Sequence, residues 1–283
     1  RLGAVLADAR QTARDVPELA RALGAGAKLA VRHRRDVGRS NSSLSAGVLG
    51  DDGDRNVVVP AITIWVDLDD WDTCAKVLGG TSYSLFTAFA AKLGERMGRW
   101  RADGAVALRI AISDRTPDDT RANAMSFAKV NVDPARVAAD LSGARVTIRE
   151  ALRTLWEEPD DALAILPLIP FVPKRALKRV ADALLDSADF PVSCSNFGDV
   201  DPAISRIDGT DAEYVLLRGV DQRIRQRELE RASGHLVLVS GRIGDKISIA
   251  VVAYLPGGVN SKPHLRELAT LTLAEFDLTG VIA

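Results

Sequence analysis

The stretch FPVSCSNFGDV, residues 190–200, is the part of this sequence that decides the fold. It opens as a short run of residues that favour a β-strand and then enters a polar turn at residues 196–198. A helical region precedes the stretch, and a strand-rich C-terminal part follows it. Because strands and helices mix without regular βαβ alternation, the sequence predicts an α+β fold, with a mixed β-sheet flanked by helices.

The composition excludes several classes of protein. The 283 residues are 47% hydrophobic and 27% charged, with a formal net charge of -1. Acidic and basic residues nearly cancel, so we expect no nucleic-acid partner. Cys74 and Cys194 provide neither a disulfide framework nor a metal cluster. No apolar run reaches the roughly 18 residues of a membrane span. We therefore expect a cytoplasmic protein that holds no metal.

Hydrophobic periodicity and turn residues predict the order of the elements. Helices are predicted at residues 1–23, 71–78, 82–99, 134–157, 160–186 and 262–276, with Asp69 or Asp70, Thr81 or Ser82, and Ser261 as caps. Strands are predicted at residues 57–68, 106–113, 125–132, 190–195, 214–219, 235–242 and 246–254, the last two joined by a hairpin turn at Gly244 and Asp245.

A loop at residues 37–55, rich in Gly, Ser, Asn and Asp, is the best internal boundary. It divides the chain into a connecting helix and loop at residues 1–56 and one domain at residues 57–283. Because the chain begins at Arg1 without a signal-peptide pattern, we expect a processed or truncated product.

Four segments follow one another in an order found in acyltransferases. They are GGTSYSLFTAFAAKL at 79–93, LRIAISDR at 108–115, ANAMSF at 122–127 and VSCSNFG at 192–198. They resemble motifs of the chloramphenicol acetyltransferase and condensation-domain superfamily, closest to its wax ester synthase/diacylglycerol acyltransferase and polyketide-associated acyltransferase branches. The resemblance implies a chloramphenicol-acetyltransferase-like half. Tyr83 and Ser84 replace the Asn-Asp pair of the wax ester synthase motif, and NFGDV at 196–200 replaces its NVPGP ending, which leaves the branch and the substrate open.

The resemblance also implies a chemistry, the direct transfer of an acyl group from a CoA or carrier-protein thioester to a hydroxyl or amine. The family's general base is a histidine in an HHxxxDG motif of the first half, and this sequence contains no such motif. We therefore assign no catalytic residue here. We expect an N-terminal half that carries the motif, covalent or as a separate chain, or a homodimer. Acyl-CoA or acyl-carrier thioester would be a substrate, and no bound cofactor is expected.

By carry-over from the family, the candidate substrate-binding residues are Ser195, Asn196, Phe197 and Gly198. The resemblance implies that Ser195 and Asn196 lie near the developing oxyanion, while Gly198 permits the tight turn behind them. An alternative role for Asn196 is structural, because asparagine side chains commonly bond nearby backbone and fix turns.

Other reactive residues fit catalysis less well. His33 is followed by Asp36 and Gly38, but the family needs two adjacent histidines with Asp four residues after the second. His235 and His264 are isolated and lack metal-ligand spacing, so we interpret them as structural or surface residues. Cys194 alternates inward along its strand and is interpreted as a small core residue.

The most apolar segment, LAILPLIPFVP at 163–173, has three interpretations: core packing, a wall of an acyl tunnel, or, with the basic residues up to 179, a patch for peripheral membrane contact. The basic run at 32–39 is either a solvated face or a contact for CoA phosphates.

Three functional hypotheses remain. The first is the C-terminal part of a CoA-dependent O-acyltransferase that moves a fatty acyl group to a lipid alcohol or diacylglycerol. The second is a non-catalytic module on the same fold that binds lipid or a carrier protein. The third is half of a condensation-type amide synthase. Thioester consumption with alcohol or amine acceptors separates the first from the third.

Overall fold

The computed structural model describes residues 24, 55–116, 118–119, 124–157, 191–219 and 223–283. The chain divides into two units. One comprises Arg1–Leu49 with Leu155–Asp186 and lies almost wholly outside the described residues. The other comprises Gly50–Thr154 with Ser187–Ala283 and contains the sheet and its helices.

The second unit is built on a sheet whose strands, among the described residues, are β1 (Ala61–Asp67), β2 (Val106–Ser113), β3 (Met125–Val132), β4 (Val192–Asp199), β5 (His235–Ile243), β6 (Lys246–Tyr254) and β7 (Val281–Ile282). The described helices are α1 (Leu68–Val77), α2 (Ser82–Arg96), α3 (Ser142–Glu157), α4 (Gln226–Arg231) and α5 (Lys262–Ala274). A 3-10 turn at Pro202–Ser205 follows β4.

The sheet is mixed, in the order β3-β2-β4-β5-β6-β1-β7. β4 lies parallel to β2 on one side and to β5 on the other, whereas the remaining pairs are antiparallel. This arrangement confirms the predicted α+β class with a mixed sheet and flanking helices. It also places the polar stretch of β4 beside two parallel neighbours.

The two faces of the sheet differ because side chains alternate along every strand. Leu108, Cys194, Leu238 and Ile249 share one face by register, and each is at most 2% exposed. We call it the helix face, since α2 packs on β2, β4 and β5 while α1 packs on β1 and β6. We call the other the second face.

Helix α2 approaches the helix face closely at Gly94. A Cβ atom at this position would lie 2.9 Å from Cγ2 of Val192 and 3.0 Å from Cγ1 of Val106. Of the two predicted caps, Thr81 is the one that caps the helix, and it does so through a capping box with Ser84. The same helix is therefore fixed at its beginning by its cap and near its end by contact with two strands.

Several predicted boundaries are wrong, each for a local reason. The first strand begins at Ala61 rather than residue 57, because Val57 donates instead to the carbonyl of Ile224 at 3.0 Å. The cap of α1 is Asp67, whose side chain accepts from the amides of Asp69 and Asp70, the two residues predicted as caps. In both cases the acceptor that a backbone amide finds decides where the element begins.

Helix α3 begins at Ser142, not at Pro134. Residues 134–139 form turns, and Asp140 Oδ1 accepts from the amide of Ser142 at 2.8 Å, so the carboxylate meets an amide of the first turn. Proline is tolerated in a first helical turn but does not start a helix alone.

The strand predicted at residues 214–219 is also wrong. The segment pairs with no strand among the described residues, because the carbonyl of Val215 accepts from Trp65 Nε1 at 2.8 Å and Tyr214 packs edge-on against the same indole. The predictions at residues 1–23, 37–54 and 160–186, together with His33 and the segment 163–179, lie outside the described residues.

Ion pairs join α2 to the end of α5. Lys92 Nζ lies 2.7 Å from carboxylate oxygens of both Glu95 and Glu275, and Arg96 also pairs with Glu275. Burial alone would raise the pKa of Glu275, but the hydrogen bonds and charges of Lys92 and Arg96 outweigh it and lower the pKa below its usual value.

Replacing Glu275 by Gln should therefore cost stability in a pH-dependent way. Because the folded-state pKa is lowered, the charge stabilises the fold above the unfolded-state pKa of about 4.3, and this contribution is lost as the pH falls through the folded-state value. We expect Glu275→Gln to lower the free energy of unfolding at pH 7 by about 1 kcal/mol, measured by urea denaturation. The deficit should shrink at about pH 2.5, whereas Glu150→Gln on exposed α3 should change nothing at either pH. An equal deficit at both pH values would contradict the pairing.

Among the described residues, none of the helices has the length and apolar character to cross a membrane. The same part of the chain holds no group of three or more His, Cys, Asp or Glu side chains suited to a metal ion.

Candidate functional site

The polar end of β4 contains a β-bulge. Asn196 pairs with Ser240 of β5 and Asp199 pairs with Arg242, so three steps along β4 match two along β5. The extra residue falls at Gly198 or next to it, and Gly198 has a φ of 65°, a conformation that side-chain-bearing residues rarely adopt. The predicted turn at residues 196–198 is thus a bulge inside the strand.

Asn196 is held by this bulge through one atom of its amide. Its Oδ1 accepts from the backbone amide of Gly198 at 2.8 Å. Since a backbone N–H can only donate, this contact fixes which side-chain atom is oxygen and which is nitrogen. Nδ2 makes no hydrogen bond with the described residues and keeps two donors. Asn196 therefore fixes the bulge through Oδ1, as the structural alternative predicted, and its Nδ2 group can still donate to another molecule.

Ser195 and Asn196 point to opposite faces of the sheet. Ser195 is level with Ala111 and Val239 on the second face, whereas Asn196 shares the helix face with Cys194 and its neighbours. The two side chains can approach one ligand only around the end of the strand. Phe197 belongs to the second face and is 63% exposed, so it lies open beside the bulge. The substrate-binding role of these residues stays a prediction.

The partner of Asn196 in the register is a buried hydroxyl. Ser240 is 0% exposed, and its Oγ has no hydrogen-bond partner among the described residues. A buried unsatisfied hydroxyl costs free energy unless a ligand or water reaches it. Nothing in the sequence around Ser240 indicated a site, because its proximity to Asn196 depends on strand register.

The beginning of α2 adds a phenol to the helix face. Burial raises the pKa of Tyr83, and the nearby Cys194 raises it further, so Tyr83 stays protonated at neutral pH and can donate a hydrogen bond. Burial raises the pKa of the Cys194 thiol to about 12, and Cys194 is 2% exposed. The thiol therefore stays protonated as well, which fits a core residue rather than a nucleophile.

Arg242 clamps the end of β4 to the rest of the unit. Its guanidinium binds Asp72 of α1 through two hydrogen bonds of 2.8 and 2.9 Å, and its Nε lies 2.9 Å from Asp199. The hydrogen bonds with Asp72 raise the pKa of Arg242, against the effect of burial. Two parallel hydrogen bonds fix the orientation of the guanidinium relative to the carboxylate as well as the distance between them. The clamp holds the strand just beyond Asn196 in place.

A general base is not found beside Asn196 in the described part of the chain. His235 opens β5, five residues before Ser240 and about 16 Å from it along the strand. His264 lies in the first turn of α5, where it contacts Glu267 at 3.4 Å. The described site can therefore donate hydrogen bonds through Asn196 Nδ2, and no histidine lies beside it among the described residues.

Comparisons with known proteins place this geometry in a fold. No family model matches the sequence, and no curated protein matches it. Among solved structures, the trichothecene 15-O-acetyltransferase of Fusarium sporotrichioides aligns with a TM-score of 0.53 and 14% identity, over 78% of this chain and 47% of that chain. A chloramphenicol acetyltransferase aligns with a TM-score of 0.44 and 14% identity, over 76% and 86% of the two chains.

The first condensation domain of the CDA synthetase aligns with a TM-score of 0.42 and 14% identity, over 92% of this chain and 55% of that chain. The chain thus spans about half the length of both the trichothecene acetyltransferase and this condensation domain. The trichothecene acetyltransferase is the neighbour that supports a likeness of fold, and the chain shares its mixed-sheet fold.

Proposed function

We propose that this chain is the C-terminal half of a CoA-dependent O-acyltransferase, which transfers a fatty acyl group from a thioester to a lipid alcohol or diacylglycerol. The observation that carries the proposal is the amide of Asn196. Its oxygen is held by Gly198 at the end of a central strand, and its nitrogen retains two donors. A donor held in advance where negative charge develops lowers the barrier to acyl transfer.

In the proposed reaction, the oxygen of the acceptor alcohol attacks the thioester carbonyl carbon while a histidine of the N-terminal half takes its proton. The carbonyl oxygen becomes an oxyanion, which Asn196 Nδ2 stabilises. The C–S bond then breaks, the ester is released, and the histidine returns the proton to the leaving thiolate. The residues of this chain orient and stabilise, while the partner half supplies the base.

The bulge and the clamp support this role because they hold Asn196 rigidly. Both contacts lie just beyond it along β4: the amide of Gly198 donates to the side-chain oxygen of Asn196, and Arg242 binds Asp199 at the strand end. A loosely held donor would have to reorganise during the reaction and would contribute less. The apolar segment 163–179 is the proposed place for contact with the acyl chain or a membrane surface.

One observation favours the alternative, a non-catalytic module that binds lipid or a carrier protein. No histidine lies beside Asn196 in the described ranges, so these residues alone bind without proton transfer. The two proposals differ in whether the complete protein transfers an acyl group from a thioester.

The test is intact mass spectrometry of the protein purified from its natural source, under native and denaturing conditions, followed by a thioester assay. We expect a species carrying HHxxxDG, covalent or separate, and thiol release that requires a long-chain alcohol or diacylglycerol. Thiol release with amines instead would indicate an amide synthase. No thiol release with the HHxxxDG half present would contradict the enzyme and favour the binding module.

A further inference from the structure

A cavity lies on the second face of the sheet, away from the amide of Asn196. It has a volume of about 410 Å³, within the range of small-molecule sites. We call it the Trp65 pocket and define it by Trp65 and Ser248 on the sheet, Glu213 and Val215 opposite them, and Asp245 and Lys246 at the hairpin. All of these residues belong to the same compact unit.

The roof of the pocket is the connection between β4 and β5, and it is anchored at several points. Val200 donates to the carbonyl of Arg242 in β5 at 2.9 Å, while Ala212 donates to the carbonyl of Ser205 within the connection itself, also at 2.9 Å. Trp65 Nε1 then donates to Val215, and its ring meets that of Tyr214 at 5.0 Å. These contacts hold the roof at a defined height above the sheet.

Gly241 has no side chain, so the roof can pack directly against β5 at this position. A Cβ at residue 241 would lie 2.9 Å from Cγ2 of Val200 and 3.1 Å from Cδ1 of Leu217. Ser248, its partner in the register, lies beside it and beneath the cavity. The connection therefore contacts the sheet at Gly241 but not at the neighbouring Ser248, and the pocket is the space left above Ser248.

The floor carries a buried hydroxyl. Ser248 is 2% exposed, lines the cavity, and its Oγ forms no hydrogen bond with any described residue. It stands next to Trp65 in the register of β1 and β6, and Trp65 is 8% exposed. A hydroxyl in this position is satisfied by something that enters the pocket.

The charges around the pocket favour a cation. Asp211 is paired with Arg206 at 3.0 Å, and Asp245 is paired with Lys246 at 2.8 Å. The third carboxylate, that of Glu213, lines the pocket beside Tyr214 and carries a negative charge that neither of these pairs offsets. Lys246 is also drawn over the ring of Tyr214, 5.7 Å from its centre.

We propose that the Trp65 pocket binds a small organic amine in its ammonium form, with an apolar body no larger than the cavity. The ammonium group would donate to Ser248 Oγ and to the Glu213 carboxylate, which satisfies the buried hydroxyl and the charge of Glu213 together. The apolar body would lie against the indole of Trp65 and the side chains of Val215 and Ile243. This inference does not depend on the acyltransferase proposal.

The test uses 2-phenylethylamine and the neutral 2-phenylethanol as matched probes, followed by NMR of the tryptophan indole N–H groups in the full chain. The sequence has four tryptophans, and Trp71, which is 0% exposed and bonded to Ser82, is an internal reference. We expect the amine to shift the Trp65 resonance saturably and the alcohol to bind at least about 10-fold more weakly.

Three variants complete the test. Glu213→Gln should weaken the amine at least about 3-fold, and Ser248→Ala should weaken it while leaving the fold intact. Glu150→Gln, an exposed carboxylate on α3, should leave binding unchanged and controls for net charge. Equal affinity for amine and alcohol, no shift of Trp65 at millimolar amine, or amine binding unaffected by Glu213→Gln would each overturn the proposal.

Discussion

Asn196→Asp is expected to lower kcat of the complete acyltransferase by about 10²–10³-fold without unfolding the protein. The substitution keeps an oxygen that can accept from the amide of Gly198, so the bulge of β4 is preserved. It removes both donors of Nδ2 and places a negative charge where an oxyanion would form. The loss should therefore fall on kcat, with KM for the thioester changed much less.

The assay is release of thiol from acyl-CoA with a saturating long-chain alcohol, together with a thermal unfolding curve for each variant. Asn131→Asp adds the same charge on the exposed side of β3 and should leave both kcat and the unfolding midpoint unchanged. Asn196→Ala loses the contact with Gly198 as well and should cost both stability and turnover. Full turnover by Asn196→Asp would show that the amide only fixes the bulge.

Gly94→Val is expected to destabilise the second unit by about 3 kcal/mol. A Cβ at this position already lies within 3.0 Å of Val106 and Val192, whose branched side chains cannot swing away. The two extra methyl groups of valine would push α2 off the strands or force β4 to move. Because Val192 begins β4, a shift there would also misplace Asn196.

The measurement is the free energy of unfolding from urea denaturation, with Gly94→Ala as a milder step and Gly143→Ala as the matched control. Alanine at residue 94 gains helix propensity worth about 1 kcal/mol but still meets both valines, so a net loss is expected. Gly143 lies in the first turn of α3, and a Cβ there would have nothing within 4 Å, so its replacement should not destabilise. Equal effects at the two glycines would contradict the close approach of α2.

Alternation and capping patterns carried most of the fold prediction. The strands at Val106–Ser113, Met125–Val132 and Lys246–Tyr254 lie where the sequence predicts them, because each alternates or runs apolar between polar turns. Ser261 caps α5 and the hairpin turns at Gly244, both as predicted. These features depend on residues close together in the chain, so the sequence contains the information needed.

The errors in the predicted elements arose where a segment with the composition of a strand forms hydrogen bonds with residues far away in the chain. Residues 214–219 have the composition of a strand, but Trp65, which is 150 residues away from Val215, takes the Val215 carbonyl. The sequence predicts residue 57 as the start of β1, whereas residues 56–57 bond to residues 224–225. Helix α4 and strand β7 are too short to give a periodic signal, and the sequence predicts neither.

At the candidate site too, the sequence predicted the features that depend on nearby residues and missed those that depend on distant ones. The run from Ser195 to Gly198 identified a polar strand end, whereas the opposite faces of Ser195 and Asn196 were found only in the structure. Three proximities followed from strand register and helix packing: Asn196 lies beside the buried Ser240, Arg242 joins Asp199 to Asp72, and Tyr83 lies near Cys194. Residue types and short spacings can be read directly from the sequence. Which residues become neighbours across the sheet depends instead on strand register and on packing over the whole core.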